Sequence, residues 1–341
     1  MNYRKLLMIL MCISVLFLLS LKSFYLDKYL ENIINKTTNP QKHIRKGADY
    51  LSKQLGIGIY RAAQTQGSLP QCPTLVNDLG PYHIAMNVSL ENRIIENANL
   101  PLGGHSKPEN CTALQKIAIV IPFRNREQHL KIWLYNMHPF LQKQQADYAI
   151  YVVEQHGETK FNRAKLMNVG FSEAIKEYDY NCFIFSDIDI IPMDQRNLYR
   201  CSENPRHLAN SLDKFNFRLI YPTLFGGIVA FTKEQFLKVN GFSNMFWGWG
   251  GEDDELYERV IAAEMKIERP DSQISRAKAI LHERDIGNER NVKSIPLIKK
   301  AGKRMRRDGL SSLNYTIISI TKHRLYTKAT VDIGLPEESL I

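Results

Sequence analysis

Long apolar runs alternate with amphipathic stretches in the middle of the chain. Residues 116–123 (KIAIVIPF), 148–153 and 181–186 are apolar runs of strand length, which is typical of strands buried on both faces. Between them, residues 126–145 and 162–175 carry apolar side chains at helical spacing. This strand–helix–strand–helix–strand order predicts an α/β fold with parallel strands and right-handed crossovers. In such sheets, ligands bind beyond the carboxyl ends of the strands.

The regions on either side have weaker patterns. Towards the C-terminus we predict a turn at Phe225-Gly226-Gly227, an apolar strand, two helices and a closing hairpin. The strand covers 228–231, the helices cover 235–239 and 253–265, and the hairpin pairs 316–321 with 325–333. The charged region 282–300 is predicted to be a mobile loop because its pattern is weak. Residues 69–115 contain five prolines, so we expect an irregular segment there.

The N-terminal segment predicts a membrane anchor. Residues 6–21 carry no charge and follow Arg4 and Lys5; continuing past Lys22 to residue 26 gives the ~20 residues that a span needs. The positive flank places the N-terminus in the cytosol. No small-x-small cleavage site follows cleanly, so an uncleaved anchor is favoured over a cleaved signal peptide. We expect a cytoplasmic tail (1–5), a transmembrane signal-anchor (6–26), a polar stem (27–68) and a luminal domain (69–341).

A luminal location of the domain has consequences for its net charge and its cysteines. The formal net charge of +10 is compatible with nucleic-acid binding, but a luminal domain would not meet nucleic acid, so we expect none. An oxidising lumen favours disulfides, and four cysteines outside the anchor allow three pairings. These are Cys72, Cys111, Cys182 and Cys201. The glycosylation sequons begin at Asn35, Asn87, Asn110 and Asn314.

The stretch FWGWGGEDDE at residues 246–255 concentrates the chemistry of the chain. Trp247 and Trp249 offer flat apolar faces suited to a sugar ring or a nucleotide, and the glycines allow close approach of the backbone. Four consecutive acids cannot all be ionised and buried without a proton, a cation or a polar substrate among them. The alternative is a glycine-rich loop before a helix whose N-terminus favours acids. The paired tryptophans favour a functional site.

Charged residues also follow the predicted strands. Asp187 and Asp189 come directly after the strand at 181–186; alternate side chains of an extended strand share a face, so both could ligate a divalent cation. The alternative is a capping or turn role. Arg124 and Arg126 follow the first strand, and Arg163 opens the second helix, where anions bind. Each arginine, taken alone, would more often be a surface residue.

Several motifs in one consistent order resemble the β-1,4-galactosyltransferase family, including its invertebrate β-1,4-N-acetylgalactosaminyltransferase branch. The motifs are FRNR at 123–126, FNRAKL at 161–166, FSDID at 185–189 with IPMD at 191–194, FGG at 225–227, WGWGGEDD at 247–254, and YT at 326–327 with VDIG at 331–334. The resemblance implies a GT-A-like, Rossmann-like domain with a mixed, mainly parallel central sheet. It also implies a single-pass type II protein of the Golgi membrane.

The resemblance implies a role for each matching residue. Asp253 would be the general base, while Glu252 and Asp254 would hold donor or acceptor hydroxyls. Asp189 and His282 would ligate Mn²⁺; a lone histidine would otherwise more often be structural. The residues implied in binding substrates are Phe123, Arg124, Arg126, Arg163, Asp187, Lys214, Tyr221, Leu224, Gly227, Trp249 and Gly250. The implied disulfides are Cys72–Cys111 and Cys182–Cys201.

Three positions depart from the family pattern. Ala279 stands where the family commonly has a methionine as a third metal ligand, and it cannot ligate. Leu224 stands where galactose-transferring members have a tyrosine, and a smaller residue leaves space for the N-acetyl group of GalNAc. Ile295 replaces an aromatic residue of the acceptor loop.

The implied activity is Mn²⁺-dependent, inverting transfer of GalNAc, favoured by Leu224, or of galactose. The donor would be the UDP-sugar, and the acceptor the terminal GlcNAc of a glycoprotein or glycolipid glycan. Two alternatives stay open. The chain could be a β-1,4-galactosyltransferase that uses UDP-galactose, or a catalytically weak sugar-binding relative, which Ala279 favours.

Overall fold

The computed structural model describes residues 69–282, 287–292 and 294–336. The predicted tail, anchor and stem (1–68), with the sequon at Asn35, lie outside the described residues, as do 283–286, 293 and 337–341. Within the described ranges, no helix is long and apolar enough to cross a membrane.

Two β-sheets organise the described part of the chain. In chain order, the strands are β1 (Lys116–Phe123), β2 (Asp147–Gln155), β3 (Cys182–Ser186), β4 (Ile190–Pro192), β5 (Arg206–His207), β6 (Ser211–Leu212), β7 (Ile228–Thr232), β8 (Arg276–Ala279), β9 (Thr316–Lys322) and β10 (Thr327–Asp332). The larger sheet has seven strands in the order β5-β7-β3-β1-β2-β10-β9. The smaller has three, in the order β4-β8-β6.

Helices connect and cover these strands. In chain order, the α-helices are α1 (Leu90–Glu96), α2 (Glu127–Lys143), α3 (Arg163–Glu177), α4 (Lys233–Lys238), α5 (Glu252–Ala262), α6 (Ser294–Lys299) and α7 (Ala301–Arg304). Short 3₁₀ turns occupy Asp213–Phe215 and Leu310–Ser312. The predicted β1-α2-β2-α3-β3 order is confirmed, and both α2 and α3 are crossovers between parallel strands.

The strand pairings define the character of the larger sheet. β1 pairs in parallel with β2 and β3, and β10 pairs in parallel with β2. The pairings β3–β7, β5–β7 and β9–β10 are antiparallel. The sheet is therefore mixed and mainly parallel, as expected: β3, β1, β2 and β10 form a parallel block, and only β7 and β9 run in the opposite direction. The antiparallel pairings involve the strands at the two ends of the sheet, β5 and β7 at one end and β9 at the other.

Apolar side chains cover both faces of the large sheet, which explains the unbroken apolar runs of its central strands. One core lies against α2 and includes Trp133, Met137 and Phe140. The other lies against α3 and includes Phe171 and Phe185. Since β1 has seven buried residues in succession, its side chains serve both cores, as expected for a strand covered on two faces.

The structure corrects the two regions predicted to lack regular structure. Residues 69–115 contain α1, whose N-cap Ser89 accepts a hydrogen bond from the backbone of Glu91. The predicted loop 282–300 contains α6, with Pro296 in its first turn, where a missing N–H costs nothing. Both helices are six or seven residues long and have no buried side chain, so no apolar periodicity marked them.

Two disulfides fix the start and the middle of the domain. Cys72 is bonded to Cys111 and Cys182 to Cys201, with Cα–Cα distances of 5.0 and 5.6 Å. These are the pairings that the family resemblance implies. The second disulfide holds the first residue of β3, the strand that leads into the aspartate pair.

Candidate active site

Asp187 and Asp189 follow β3 in a turn, not in an extended strand. The backbone N–H of Asp187 donates to the Gly227 carbonyl at 2.9 Å, and the Asp189 carbonyl accepts from Ile280 N at 2.7 Å. Strand alternation is therefore not what brings the two carboxylates together, contrary to our expectation. The turn places them in electrostatic contact with each other while giving each a different partner.

Asp189 faces His282. Asp189 Oδ2 lies 3.3 Å from His282 Nε2, and two ligands of one octahedral cation lie about 3 Å apart. Burial opposes ionisation of Asp189, but the hydrogen bond from His282 and the charge of Lys214 outweigh it and lower the pKa of the carboxyl. An ionised carboxylate beside an imidazole is a donor set that suits Mn²⁺. These two residues therefore fit the implied metal.

The rest of the metal environment is sparse. Ala279 is buried and its N–H donates to Asp213 Oδ1 at 2.8 Å, so its side chain supplies no donor atom. Among the residues that the structure describes, no group of three or more metal-ligating side chains occurs. Arg126 Nη2 donates to His282 Nδ1 at 2.7 Å, which leaves the imidazole proton on Nε2. A cation at Nε2 would require that proton to move to Nδ1 and Arg126 to turn away.

Arg163 connects the aspartate turn with the acids that begin α5. Its Nε donates to Asp187 Oδ1 at 2.5 Å, and its Nη1 lies 3.5 Å from Glu252 Oε1. Burial disfavours the guanidinium charge, but Asp187 and Glu252 outweigh this and raise the pKa of Arg163. Asn162 caps α3 by accepting from the backbone of Lys165, which places Arg163 at the first position of the helix. This arginine therefore points its charge at two carboxylates of the site.

The acids at 252–254 occupy the first turn of α5, which begins one residue before the helix predicted at 253–265. Gly251 precedes the helix with φ +99°, a left-handed conformation that glycine adopts without strain. Burial and the neighbouring Asp253 raise the pKa of Glu252 to about 7. Burial and the neighbouring Asp254 raise the pKa of Asp253. In the described part of the chain, Glu252 Oε2 is buried without a hydrogen-bond partner, as expected of an atom that contacts a substrate.

Two residues from the loop before β7 contact these acids. Tyr221 donates its hydroxyl to Asp254 Oδ1 at 3.0 Å. A Cβ on Gly226 would lie 2.4 Å from Asp253 Oδ2, so only glycine leaves room for the carboxylate there. Gly227 has φ +77° and its carbonyl holds Asp187. The predicted Phe-Gly-Gly turn therefore brings Asp253 and Asp187 to the same strand end.

The Trp249 side chain is 52% exposed, although its backbone is fixed. Trp249 N donates to the Glu289 carbonyl at 2.8 Å, and Asn291 N donates to the Trp249 carbonyl at 2.9 Å. A Cβ on Gly248 would lie 2.4 Å from the Glu289 carbonyl oxygen. The segment after His282 therefore packs directly on the tryptophan–glycine segment, while about half of the Trp249 side chain stays exposed to solvent.

Other predicted residues lie around this centre. Arg124 donates to the Thr159 carbonyl at 2.6 Å, stacks on Phe161 and lines a cavity of about 180 Å³ at the ends of β1, β2 and β10. Phe123 is buried at the end of β1. Gly250 has φ +102° and open space around it.

An arginine that was not predicted from the sequence lies beneath the turn that carries Leu224. Arg269 Nη2 donates to the Pro222 and Leu224 carbonyls at 2.8 and 2.9 Å. Its Nε donates to Nδ1 of the fully buried His207 at 3.3 Å. These contacts are between residues 45 or more positions apart in the chain, so no local pattern could have revealed them.

A charge cluster anchors α5 below the acids, and it was also missed. It consists of Glu255, Arg259, Arg304 and Asp308. Glu255 accepts from Arg259 and Arg304 at 2.7 Å each, and Asp308 Oδ2 accepts from both arginines at 3.1–3.2 Å. Glu255 and Arg259 are fully buried, so removing one partner costs ~3–5 kcal/mol. The i,i+4 spacings of Glu255–Arg259 and Arg304–Asp308 were the available sequence signals.

The sequons within the described residues are accessible. Asn87, Asn110 and Asn314 are all exposed. Their modification remains a prediction.

Two family models match the chain in succession. Residues 72–202 match the N-terminal region of glycosyl transferase group 7, and residues 206–283 match the N-terminal domain of galactosyltransferase. The chain is 50% identical over 272 residues to β-1,4-galactosyltransferase 1 of Mus musculus, covering 79% of this chain and 68% of the relative. It is 44% identical over 285 residues to β-1,4-galactosyltransferase 4 of Rattus norvegicus, covering 83% of each.

Solved structures agree with these matches. The catalytic domain of Drosophila β-1,4-galactosyltransferase 7 in complex with xylobiose superposes with a TM-score of 0.56 at 27% identity, covering 65% of this chain and 95% of that chain. A mutant of the same enzyme, in complex with manganese, UDP-Gal and xylobiose, superposes with a TM-score of 0.56 at 26% identity, with the same coverage. This likeness establishes a GT-A-like fold with a mixed central sheet.

Proposed function

Because this chain belongs to the galactosyltransferase family and is a glycosyltransferase enzyme, we propose that it is an inverting, Mn²⁺-dependent β-1,4-transferase. It would transfer GalNAc or galactose from the UDP-sugar to a terminal GlcNAc of a glycoprotein or glycolipid glycan. One observation carries the proposal: Asp253 lies at the start of α5, and Arg163 joins that helix end to the aspartate turn beside His282. The solved relative with manganese, UDP-Gal and xylobiose supports the donor class and the metal.

Asp253 would act as the general base. The raised pKa of its carboxyl makes it a stronger proton acceptor than an exposed aspartate. It would take the proton of the acceptor 4-hydroxyl as that oxygen attacks the anomeric carbon, and a single displacement inverts α to β. Glu252 and Asp254 would hold sugar hydroxyls, since Glu252 Oε2 has no partner among the described residues.

Charged side chains would hold the nucleotide part of the UDP-sugar donor. Arg163 would hold donor oxygens through the N–H groups that Asp187 and Glu252 leave free. Asp189 and His282 would hold Mn²⁺, which would stabilise the charge on the UDP leaving group when bound. Trp249 would cover the sugar with its exposed indole and help to exclude water.

GalNAc is the favoured sugar because Leu224 replaces the tyrosine of galactose-transferring members. We predict that Leu224→Tyr raises the ratio of UDP-galactose to UDP-GalNAc turnover with GlcNAc as acceptor. Leu219→Tyr, an exposed neighbour in the same loop, is the matched control. An unchanged donor ratio in Leu224→Tyr would reject this explanation of donor choice. Absence of turnover with either UDP-sugar in the unsubstituted chain would reject the transferase proposal itself.

A second candidate is a sugar-binding relative with little catalysis, which the absence of a donor atom at Ala279 favours. A manganese titration with both UDP-sugars decides between them. Turnover at sub-millimolar metal would dismiss this candidate.

We also propose that residues 6–26 anchor the protein in the Golgi membrane with residues 69–341 in the lumen. The uncharged segment after Arg4 and Lys5 supports this orientation. Protection of the C-terminal domain from protease in sealed vesicles tests it, and digestion in intact vesicles would overturn it.

A further inference from the structure

A second cavity lies away from the carboxylate cluster. It has a volume of about 550 Å³ and is bounded by the start of α3, the segment before Trp249, the end of β10 and the turn after α7. Its walls include Trp247 but not Trp249, and none of Asp187, Asp189, Asp253 or His282. Its size falls within the range of small-molecule sites, ~300–1,000 Å³.

The chemistry of its walls resembles that of sugar-binding surfaces. The indole of Trp247 and the ring of Tyr315 line the cavity, and both side chains are half-buried and therefore partly fixed. Tyr315 is held in place by a hydrogen bond from its hydroxyl to Glu173. Aromatic faces of this kind bind the apolar C–H faces of sugar rings, while polar groups around them bind the hydroxyls.

Polar groups with free hydrogen-bonding capacity surround these rings. Among the described residues, the side chains of Arg307, Asn314 and Thr316 have no hydrogen-bond or ion-pair partner, and all three are exposed. Asp332 uses Oδ1 to accept from Gly334 N at 2.8 Å, which leaves Oδ2 available. The cavity therefore offers a cation, an amide, a hydroxyl and a carboxylate around two aromatic faces, without an excess of one charge.

The sequon Asn314-Tyr315-Thr316 lies in the wall itself. An N-acetylglucosamine attached to Asn314 would begin at the edge of this cavity. The same residues also border the open edge of β9, the outermost strand of the large sheet.

We propose that this cavity binds an oligosaccharide of N-acetylglucosamine, which is either the glycan carried by Asn314 or the glycan of another protein. The site does not depend on the transferase chemistry. It would hold a sugar by stacking on Trp247 and Tyr315, with Arg307 and Asp332 binding its hydroxyls. A glycan that starts at Asn314 would also shield the exposed edge of β9 from pairing with another strand.

Photolabelling tests the proposal. A photoreactive derivative of N,N′-diacetylchitobiose is added to the full chain carrying Asn314→Gln, and the labelled peptides are mapped by mass spectrometry. We expect labelling of the peptide that contains residues 312–316, in addition to any labelling near Trp249. Adding Arg307→Ala should reduce labelling of that peptide by about tenfold, the loss expected for a charged hydrogen bond.

Arg306→Ala is the matched control, because Arg306 is an exposed neighbour that does not line the cavity. It should leave labelling unchanged. Absence of labelling at 312–316, or labelling that Arg307→Ala leaves unchanged, would overturn the proposal.

The unsubstituted chain distinguishes the two sources of the sugar. If its own glycan fills the cavity, labelling at 312–316 is lost in the glycosylated chain and returns in Asn314→Gln. If the sugar comes from another protein, both chains are labelled equally. Transfer to GlcNAc is measured on the same samples, so a failure of the proposed transferase function is seen separately from a failure of this site.

Discussion

Gly226→Ala tests whether the position of Asp253 decides catalysis. A Cβ at residue 226 would lie 2.4 Å from Asp253 Oδ2, 3.1 Å from its Cβ and 3.2 Å from its Cγ. Ordinary contact begins at 3.4 Å, so the carboxylate must retreat by about 1 Å. Rotation of the carboxyl group alone does not suffice, because the Cβ and Cγ are also too close and Oδ1 accepts from the Asp254 backbone at 2.9 Å.

The expected loss follows from that displacement. A misplacement of about 1 Å in a reacting group costs roughly 100-fold in rate, so we expect kcat to fall about 100-fold, or ~2.7 kcal/mol. Gly226 does not have a positive φ, so alanine adds no backbone strain. The folded structure should therefore survive, with only the modest cost of overpacking, ~1–3 kcal/mol.

The assay is steady-state transfer to GlcNAc from UDP-GalNAc and UDP-galactose, with thermal unfolding measured on the same samples. Gly80→Ala is the matched control, because a Cβ there meets nothing within 4 Å. In an Asp253→Asn background, Gly226→Ala should add little further loss, since the group that it displaces no longer accepts a proton. A folded Gly226→Ala enzyme with kcat within about threefold of the unsubstituted chain would refute Asp253 as a precisely positioned base.

Three further predictions follow from other contacts. Arg269→Gln should free the Leu224 carbonyl and change the ratio of GalNAc to galactose transfer more than it changes the unfolding temperature. Arg269→Lys should restore part of the original ratio. An unchanged ratio in Arg269→Gln would show that Arg269 does not position Leu224 for donor choice. Burial raises the pKa of Glu252 from 4.5 to about 7, so the folded state holds that proton more tightly than the unfolded state. The stability of the fold should therefore fall as pH rises across this range. Glu252→Gln should reduce this dependence of the unfolding temperature on pH, and an identical dependence in both proteins would reject the raised pKa. Ala279→Met should tighten Mn²⁺ binding, measured by electron paramagnetic resonance without substrates. Ala279→Leu, of similar size but without a donor atom, should not. Equal Mn²⁺ affinities in the two variants would show that residue 279 does not reach the metal.

The central strands and the positions of the site residues along the chain were predictable, whereas their contacts were not. β1, β2 and β3 appeared as unbroken apolar runs because burial on both faces removes polar positions. β4, β5 and β6 are only two or three residues long, too short for any period to show. The smaller sheet, β4-β8-β6, contains two of these short strands, β4 and β6, and therefore went unpredicted.

Some residues of the site could likewise be predicted from the sequence, and others could not. The acids of α5 were marked by their density, and the helix dipole explains why they collect at its first turn. Asp187 and Asp189 were identified for the wrong geometric reason, since they lie in a turn. Arg269 acts across more than forty positions of sequence, and only the folded chain brings it beneath Leu224. The resemblance supplied roles for His282 and Leu224 that their local sequence does not indicate.

The charge cluster beneath α5 has a consequence for how this enzyme responds to its ionic surroundings. Dissolved ions weaken attractions between charges that they can approach, over a Debye length of ~8 Å at physiological strength. Glu255 and Arg259 have no solvent-accessible side-chain surface, so counter-ions cannot surround them. The tilt of α5 should therefore be the same in dilute buffer and in concentrated electrolyte. Any dependence of turnover on added electrolyte would then report on the open cleft, where Trp249 and the carboxylates meet the nucleotide, and not on loosening of the helix that carries Asp253.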